Sequence, residues 1–545
     1  MSHRIGPFWS RLLLVAACLV SLTTACGDDD GMQLDAGFDA GGHEEDDAGP
    51  PDAGADEDAG TDAGGLDAGS DAGEPDAGPD AGALDGGPPA LLDVSHDREL
   101  RAMWLSTVFR LDFPSAAGVG ATQARAELTA IADVCRAAGI NAIFFQVRPE
   151  SDALYASTLE PWSRFLTDVQ GVGPGWDPLG LLLEIAHERG IEVHAWVNPY
   201  RALTSTSVTP AASHVTQRFP DAAITYGGAV VMNPAADAVR AHIVAVVTEI
   251  VREYDVDGVV FDDYFYPYPR PGEPPFADSE SYQAYVDAGG VLSLGDWRRD
   301  NVNRLVAGVS DAIKTEKPWV MWGIAPFGIY RPGMPPGVAG TDAYEVLAAD
   351  SVRWISEGWV DYLAPQLYWS TVSSQQPFGA LVSWWADLAP PGRFVIPSLA
   401  LHREGAEWNA AEFERQVMLT RAEAPRTAGN TWFRYRMLAN DLHGSRAMMA
   451  RVYSTPARPP AVIETAGDAV EPPVVMRTAG NVTLSHPSPT TIRGYAVYRD
   501  VDGSFEIDRW IPAGSPATSL GRGRWAISAI ARGGAESQGV EVLVP

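Results

Sequence analysis

Cysteine is scarce in this chain: three residues among 545, and two of them, Cys18 and Cys26, fall within the first 26 positions. With only Cys135 left beyond them, an exported chain has no intramolecular disulfide framework. Cys135 sits at an apolar helical spacing, so it reads as a small buried hydrophobe rather than a nucleophile. Basic charge is also in deficit, with 39 Lys and Arg against 71 Asp and Glu and a net charge of −32. Nothing reads as a basic surface, which excludes phosphate-backbone recognition, so no nucleic-acid partner is expected. The deficit is local. Twenty of the acidic residues, and no Lys or Arg, lie between Gly27 and Ala90, so the remainder carries only about −12. Three further absences narrow the chemistry. There is no dense His or Cys cluster at zinc spacing, no Gly-x-Ser-x-Gly elbow, and no glycine-rich phosphate fingerprint after the first predicted strand. No metal and no cofactor is expected.

The N-terminal apolar stretch "LLLVAACLVSL" (12–22) is too short to span a bilayer comfortably. With Arg4 and Arg11 near its start it reads as an export signal over residues 1–26. It ends in "LTTAC", which resembles the lipobox of bacterial lipoproteins, with Leu22 four places before the cysteine. That resemblance implies lipidation of Cys26 and a membrane-anchored protein of the cell envelope, on the periplasmic or surface face of an outer membrane. A plain cleaved signal peptide is the alternative. Residues 27–95 follow, and the triplet DAG occurs ten times between Asp35 and Gly82. No apolar face forms at any period, so the segment cannot bury enough surface to repay its ordering entropy. Calcium-binding β-helix repeats need large apolar residues at regular positions, and these are missing. The segment reads as a disordered acidic tether, roughly 45 Å end to end by the square-root rule and longer with charge repulsion.

From Arg101 onward short apolar runs alternate with helical stretches. Eight strands are expected within 100–109, 140–149, 191–201, 256–264, 319–328, 360–369, 393–402 and 430–438. Between them "TQARAELTAIADVCRAAG" (122–139) keeps Leu128, Ile131, Ala132 and Cys135 on one face and stops at Gly139. The stretches 178–190 and 237–254 follow the same rule. Eight strand–helix units over 98–455 imply an α/β fold, a (β/α)8 barrel with its chemistry at the C-terminal strand ends. Period two then selects inward residues. Gln146 and Arg148 share a parity on the second strand. His194, Trp196 and Asn198 share one on the third, with Val193, Ala195 and Val197 facing the helices. Val260 and Asp262 point inward on the fourth, with Asp263 at the lip; Gln366 and Tyr368 end the sixth. A core would not choose such polar residues, because each needs a partner when buried.

These residues carry a resemblance. "LRAMWLSTV…DFPS" (100–115), "QVRPESDALY" (146–155), "GIEVHAWVNPYR" (190–201), "YDVDGVVFDDYFYP" (254–267), "APFGIYRPG" (325–333) and "DYLAPQLYW" (361–369) resemble, in order, the motifs of the glycosyl-hydrolase-like-10 family of bacterial barrel proteins. The family includes lipoproteins that hydrolyse peptidoglycan glycan strands stripped of their stem peptides. The resemblance implies an exported glycosidase acting on an envelope polysaccharide. Two positions depart from the family pattern: Val260 where many members have His, and Ala325 where many have Ser.

Glycoside hydrolysis needs a proton donor and a second carboxylate acting as nucleophile or base. Asp262 lies where related barrels keep a nucleophile, and Asp263 is close enough to tune it or to hold a hydroxyl. The plainer alternative is that one Asp caps a turn and the other pairs with Arg148 or Arg201. Asp152, ahead of Glu150, is the candidate acid; Asp350 reads as a helix brace. Arg331 suits the lactyl carboxylate of a muramic acid, or else pairs with Asp263. Trp104, Trp196, Tyr264, Tyr266, Tyr368 and Trp369 are candidates to stack on sugar rings, and ordinary core filler is the alternative for each. Gln146, Arg148, Glu150, His194, Asn198, Arg201 and Gln366 complete the expected substrate-binding set. After a Pro-rich link, 470–545 shows alternating strands that resemble a fibronectin type III sandwich. A catalytically silent glycan-binding lipoprotein, or a hydrolase of another polysaccharide, remains the alternative.

Overall fold

The computed structural model describes residues 90–478 and 480–545. The expected export signal, Cys26 and the DAG tract lie outside the described residues. Eight parallel strand positions follow one another around a sheet: Leu100–Leu105, Ala142–Arg148, Glu192–Val197, Gly258–Phe261, Met321–Ile324, Tyr362–Leu363, then Phe394–Val395 with Ser398–Leu399, and Gly429–Trp432. Phe394–Val395 pairs with the sixth strand, whereas Ser398–Leu399 pairs with the eighth. Both pieces belong to one extended stretch, so the sheet curls round to meet itself as a barrel. The stretch breaks at Pro397, which has no N–H to give to a ladder. The sixth strand stops just before Pro365 for the same reason.

Seven of the eight strands lie inside the stretches expected from hydrophobic alternation; the eighth starts one residue early, at Gly429. Long helices follow, including Ala121–Ala137, Pro178–His187, Asp237–Glu253 and Leu294–Glu316. The first buries Ala124, Leu128, Ile131, Ala132 and Cys135. Burial pushes the Cys135 thiol far above its ordinary range, and the Asp112 charge adds to this, so the thiol is unreactive. Pro178 opens its helix, and Asp177 accepts a hydrogen bond from the Gly180 N–H (3.0 Å) as the cap. Inside the barrel, alternate residues meet in a packed cluster that includes Leu100, Trp104, Phe144, Trp196, Val260, Ala325, Tyr362 and Phe394. Trp104 stands edge-on to Phe144 and Trp196, with ring centres 4.9 and 4.8 Å away. The interior is therefore filled, and access is confined to the ends of the strands.

Residues beyond 470 form two antiparallel sheets packed as a sandwich. Val482, Leu484, Tyr495, Val497, Trp525 and Ile527 fill the space between them. Leu91 and Leu92, within the stretch expected to be tether, pair with Val540 and Gly539 and extend one sheet. Two leucines provide the apolar area that this pairing buries.

The sandwich docks on the N-terminal end of the barrel, opposite the C-terminal ends of the strands. Asp257, just before the fourth strand, accepts the Val193 N–H (2.8 Å), touches His187 Nε2 (2.7 Å) and pairs with Arg493 of the sandwich (2.6 Å). Burial alone would raise its carboxyl; Arg493 and His187 outweigh this and hold it well below the usual carboxylate range. Arg458 lies 4.0 Å over the Trp510 ring and donates to the Gly190 carbonyl (2.6 Å). Gly190 has φ +70°, and a Cβ there would lie 2.1 Å from Trp510 Cδ1. Glycine is required twice, for the left-handed backbone and for the close approach. Gly190→Ala should cost about 2–5 kcal/mol, adding left-handed strain to overpacking. In a Trp510→Ala background only the strain, about 1–2 kcal/mol, should remain. Urea denaturation of the single and double variants measures both; equal losses in the two backgrounds would show that the indole does not crowd this site.

Candidate active site

The fourth strand buries Val259 and Phe261 outward, with Phe261 edge-on to Trp322 at 4.7 Å. Alternation then carries Asp262 over the barrel interior. The residue is 4 % exposed. Oδ2 accepts the Trp196 indole N–H (3.2 Å) and an N–H from the Asn198 side chain. Asn198 Oδ1 in turn accepts from Gln146 Nε2 (2.8 Å) and Arg201 Nη2 (3.0 Å). Asp263 is also buried, and Tyr268 donates its hydroxyl to Asp263 Oδ2. Burial, then the Asp263 charge, raises the Tyr268 phenol well above its usual range, so it stays a donor. The two adjacent carboxylates are thus served by different donors, one set from the neighbouring strand and one from their own loop. Tyr268 was not among the expected residues, although it belongs to the same aromatic run.

An aromatic wall extends from here. Tyr264 meets Tyr268 (5.9 Å between centres), Tyr268 meets Phe327 (6.4 Å), and Phe327 meets Trp369 (5.7 Å). Tyr368 contacts His402 (5.3 Å) and Phe433 (6.1 Å) and lies 3.4 Å from Ser398 Oγ. Tyr264, Tyr268, Tyr368 and Trp369 are half-buried, the exposure that lets a ring face a ligand while its other face packs. Gln366 donates to the Ala325 carbonyl (3.0 Å). The guanidinium of Arg201 lies 5.5 Å from the Tyr264 ring.

Other expected residues lie elsewhere. Trp104 donates to Thr431 Oγ1 (3.1 Å), and His194, stacked on Phe144, touches the Tyr362 hydroxyl (2.9 Å); both are inside the barrel. Tyr266 packs against Phe276 beneath Arg298. Arg331 is 3.4 Å from Asp342 and from Glu345. Asp350 accepts from the Tyr330 hydroxyl (3.0 Å). Val260 and Ala325 are sealed in the interior cluster.

The shared parity expected for Gln146 and Arg148 is corrected by a register shift. Gln146 pairs with Trp196, but Arg148 pairs with Val197, so an extra residue at Val147 turns Arg148 to the outer face. There it ion-pairs with Glu160 (2.5 Å) and donates to the Asn198 and Pro199 carbonyls (2.7 and 3.0 Å). Glu150 is buried against Arg164 (2.7 Å) and the Thr204 N–H (2.7 Å). Asp152 takes hydrogen bonds from Gln170 (3.1 Å) and the Glu150 N–H (3.1 Å). Burial, and then the nearby Glu150 charge, raise Asp152 to about 7. Among the described residues no group of three or more His, Cys, Asp or Glu is arranged to hold a metal ion.

Carboxylates at the C-terminal rim of a barrel, with half-buried rings around them, are the groups that glycoside hydrolysis uses. Residues 99–398 match the family described as glycosyl hydrolase-like 10. The chain is similar to the glycosyl hydrolase YngK of Bacillus subtilis (strain 168), 36 % identical over 387 residues covering 68 % of this chain and 75 % of that protein. It is also similar to the glycosyl hydrolase DigH of Escherichia coli (strain K12), 37 % identical over 369 residues covering 62 % of this chain and 82 % of that protein. The chain belongs to the glycosyl hydrolase-like 10 family and is a glycosidase.

Glu160 supports this rim from behind. Burial would raise its carboxyl, but the Arg148 guanidinium, aided by hydrogen bonds from His242 and Arg148, holds it at about 2. A carboxyl lowered by folding stabilises above its unfolded value near 4.5 and loses that contribution as the pH falls towards 2. Glu160→Gln should cost at least about 3 kcal/mol at pH 7, since it also strands a buried guanidinium. It should also flatten the loss of stability in this acid range. Denaturation midpoints across that range test this; a curve parallel to that of the parent would remove the pair from the stability of the barrel.

Proposed function

We propose that this glycosidase hydrolyses an envelope polysaccharide, with peptidoglycan glycan strands lacking stem peptides as its substrate and Asp262 as the carboxylate that acts in the transition state. The observation carrying this reading is the Asp262 carboxylate at the end of the fourth strand, gripped on Oδ2 by two donors. Such a carboxylate is held in one orientation, as a nucleophile or base must be. Asp263 and Tyr268 tune it or hold a sugar hydroxyl. Asp152 is the candidate acid for the leaving oxygen; burial, and then the Glu150 charge, favour its protonated form. Stripped glycan strands expose flat pyranose faces, which the half-buried rings suit. The sandwich reads as a fibronectin type III-like spacer or binding module.

Asp262→Asn keeps shape and most hydrogen bonding but removes the charge. On stripped strands it should lower kcat by several orders of magnitude with affinity little changed. Asp263→Asn should do less, roughly ten- to a hundredfold. Near-normal turnover in Asp262→Asn with a dead Asp263→Asn would move the role to the second carboxylate, and normal turnover in both would end this reading.

Residence on a membrane through a lipid on Cys26 belongs to the same proposal. Cys26→Ser should release the protein from the membrane fraction without changing its melting temperature. Continued membrane fractionation of that variant would overturn the anchor.

A further inference from the structure

We infer that Gln146 is a positioning residue: it acts through Asn198 to aim a hydrogen-bond donor at Asp262, and the loop after the first strand sets the direction of that donor. The inference rests on the reading of Asp262 as the reacting carboxylate.

A side-chain amide has a donor end and an acceptor end, and its neighbours decide which way round it sits. The backbone N–H groups of Thr107 and Val108 can only donate, and both lie 2.9 Å from Gln146 Oε1. The carbonyl end of Gln146 is thereby assigned to the loop. Its NH2 end then faces Asn198 at 2.8 Å and requires an acceptor there, which is Oδ1. Arg201, a guanidinium that can only donate, reaches the same oxygen at 3.0 Å. Asn198 is left with its NH2 end towards Asp262 Oδ2. Every link has a single allowed polarity, starting at two main-chain groups that cannot change theirs. Gln146 and Asn198 are fully buried, so water does not replace a lost link. Ionisable groups near Asp262 include Asp263 and Tyr268 on its own loop and Arg201 beside Asn198. The second donor on Oδ2, the Trp196 indole, is part of the third strand and does not depend on Gln146.

Two variants test the relay, with turnover of stripped glycan strands as the assay and Asp262→Asn run in parallel. Gln146→Met removes the donor to Asn198 at similar volume. Gln146→Glu keeps an acceptor for the Thr107 and Val108 N–H groups, so the loop stays anchored, but reverses the polarity offered to Asn198. Both should lower kcat, by roughly tenfold for Met and a hundredfold for Glu, with KM within about twofold. The acid limb of kcat/KM should move up by about one pH unit, because an ionised Asp262 with a weaker donor takes up its proton more readily. Unchanged kcat and an unmoved acid limb in a folded Gln146→Glu, with Asp262→Asn inactive, would overturn the relay alone. A fall in kcat and KM together with a lower melting temperature and an unmoved acid limb would reduce Gln146 to a structural brace, which also overturns it. Persisting turnover in Asp262→Asn would instead overturn the reading on which the relay stands.

Discussion

A carboxylate taken out of water must obtain its hydrogen bonds from the protein, and the rim of this barrel is built around that demand at Asp262. An unpaired buried charge costs several kcal/mol, about as much as a small domain has to spare. The cost is met by neighbours in the sheet. Trp196 and Asn198 come from the third strand and its end, Gln146 from the second, and the Thr107 and Val108 amides from the loop after the first. Parallel strands bring these groups to one rim because all of them end there.

The opposite end of the barrel solves a similar problem with a different result. Asp257 is as buried as Asp262, but its partners are Arg493 and His187. A full positive charge against a carboxylate suits cohesion, since it pins the protonation state and joins barrel to sandwich. Asp262 has neutral donors on the same oxygen, which orient the group without cancelling its charge. One residue type, repeated at the two ends of one strand, thus meets a full charge at one end and neutral donors at the other. Glu160 follows the adhesive pattern, with Arg148 and His242 bracing the backbone that carries Asn198.

Much of the site was legible from period alone. His194, Trp196 and Asn198 share the inward face as alternation requires, and Asp262 continues the parity of Val260. Their depth was not legible. His194 and Trp104 belong to the packed interior, while Asn198 reaches the rim, because height along a tilted strand depends on how far its neighbours extend. Arg148 escaped the parity rule because one extra residue at Val147 reverses every later facing. Tyr268 lies in a proline-rich loop with no period to follow. The partners of Arg331, Asp342 and Glu345, lie eleven and fourteen residues further along, on a loop and helix whose path no local signal predicts.

By itself the sequence determined what depends on short-range chemistry. Hydrophobic alternation set the eight strands and the faces they bury, and proline set where the sixth and seventh are cut short. The paired Asp at a strand end could be read as chemistry for the same local reason. Only the tertiary structure decided which donors each Asp receives, that Arg148 turns outward, that Gly190 makes room for Trp510, and that Leu91 and Leu92 complete a sheet begun some 450 residues later. Those outcomes depend on register and on contacts between distant segments, where a one-residue shift or a single close approach reassigns a partner and leaves no local pattern in the chain.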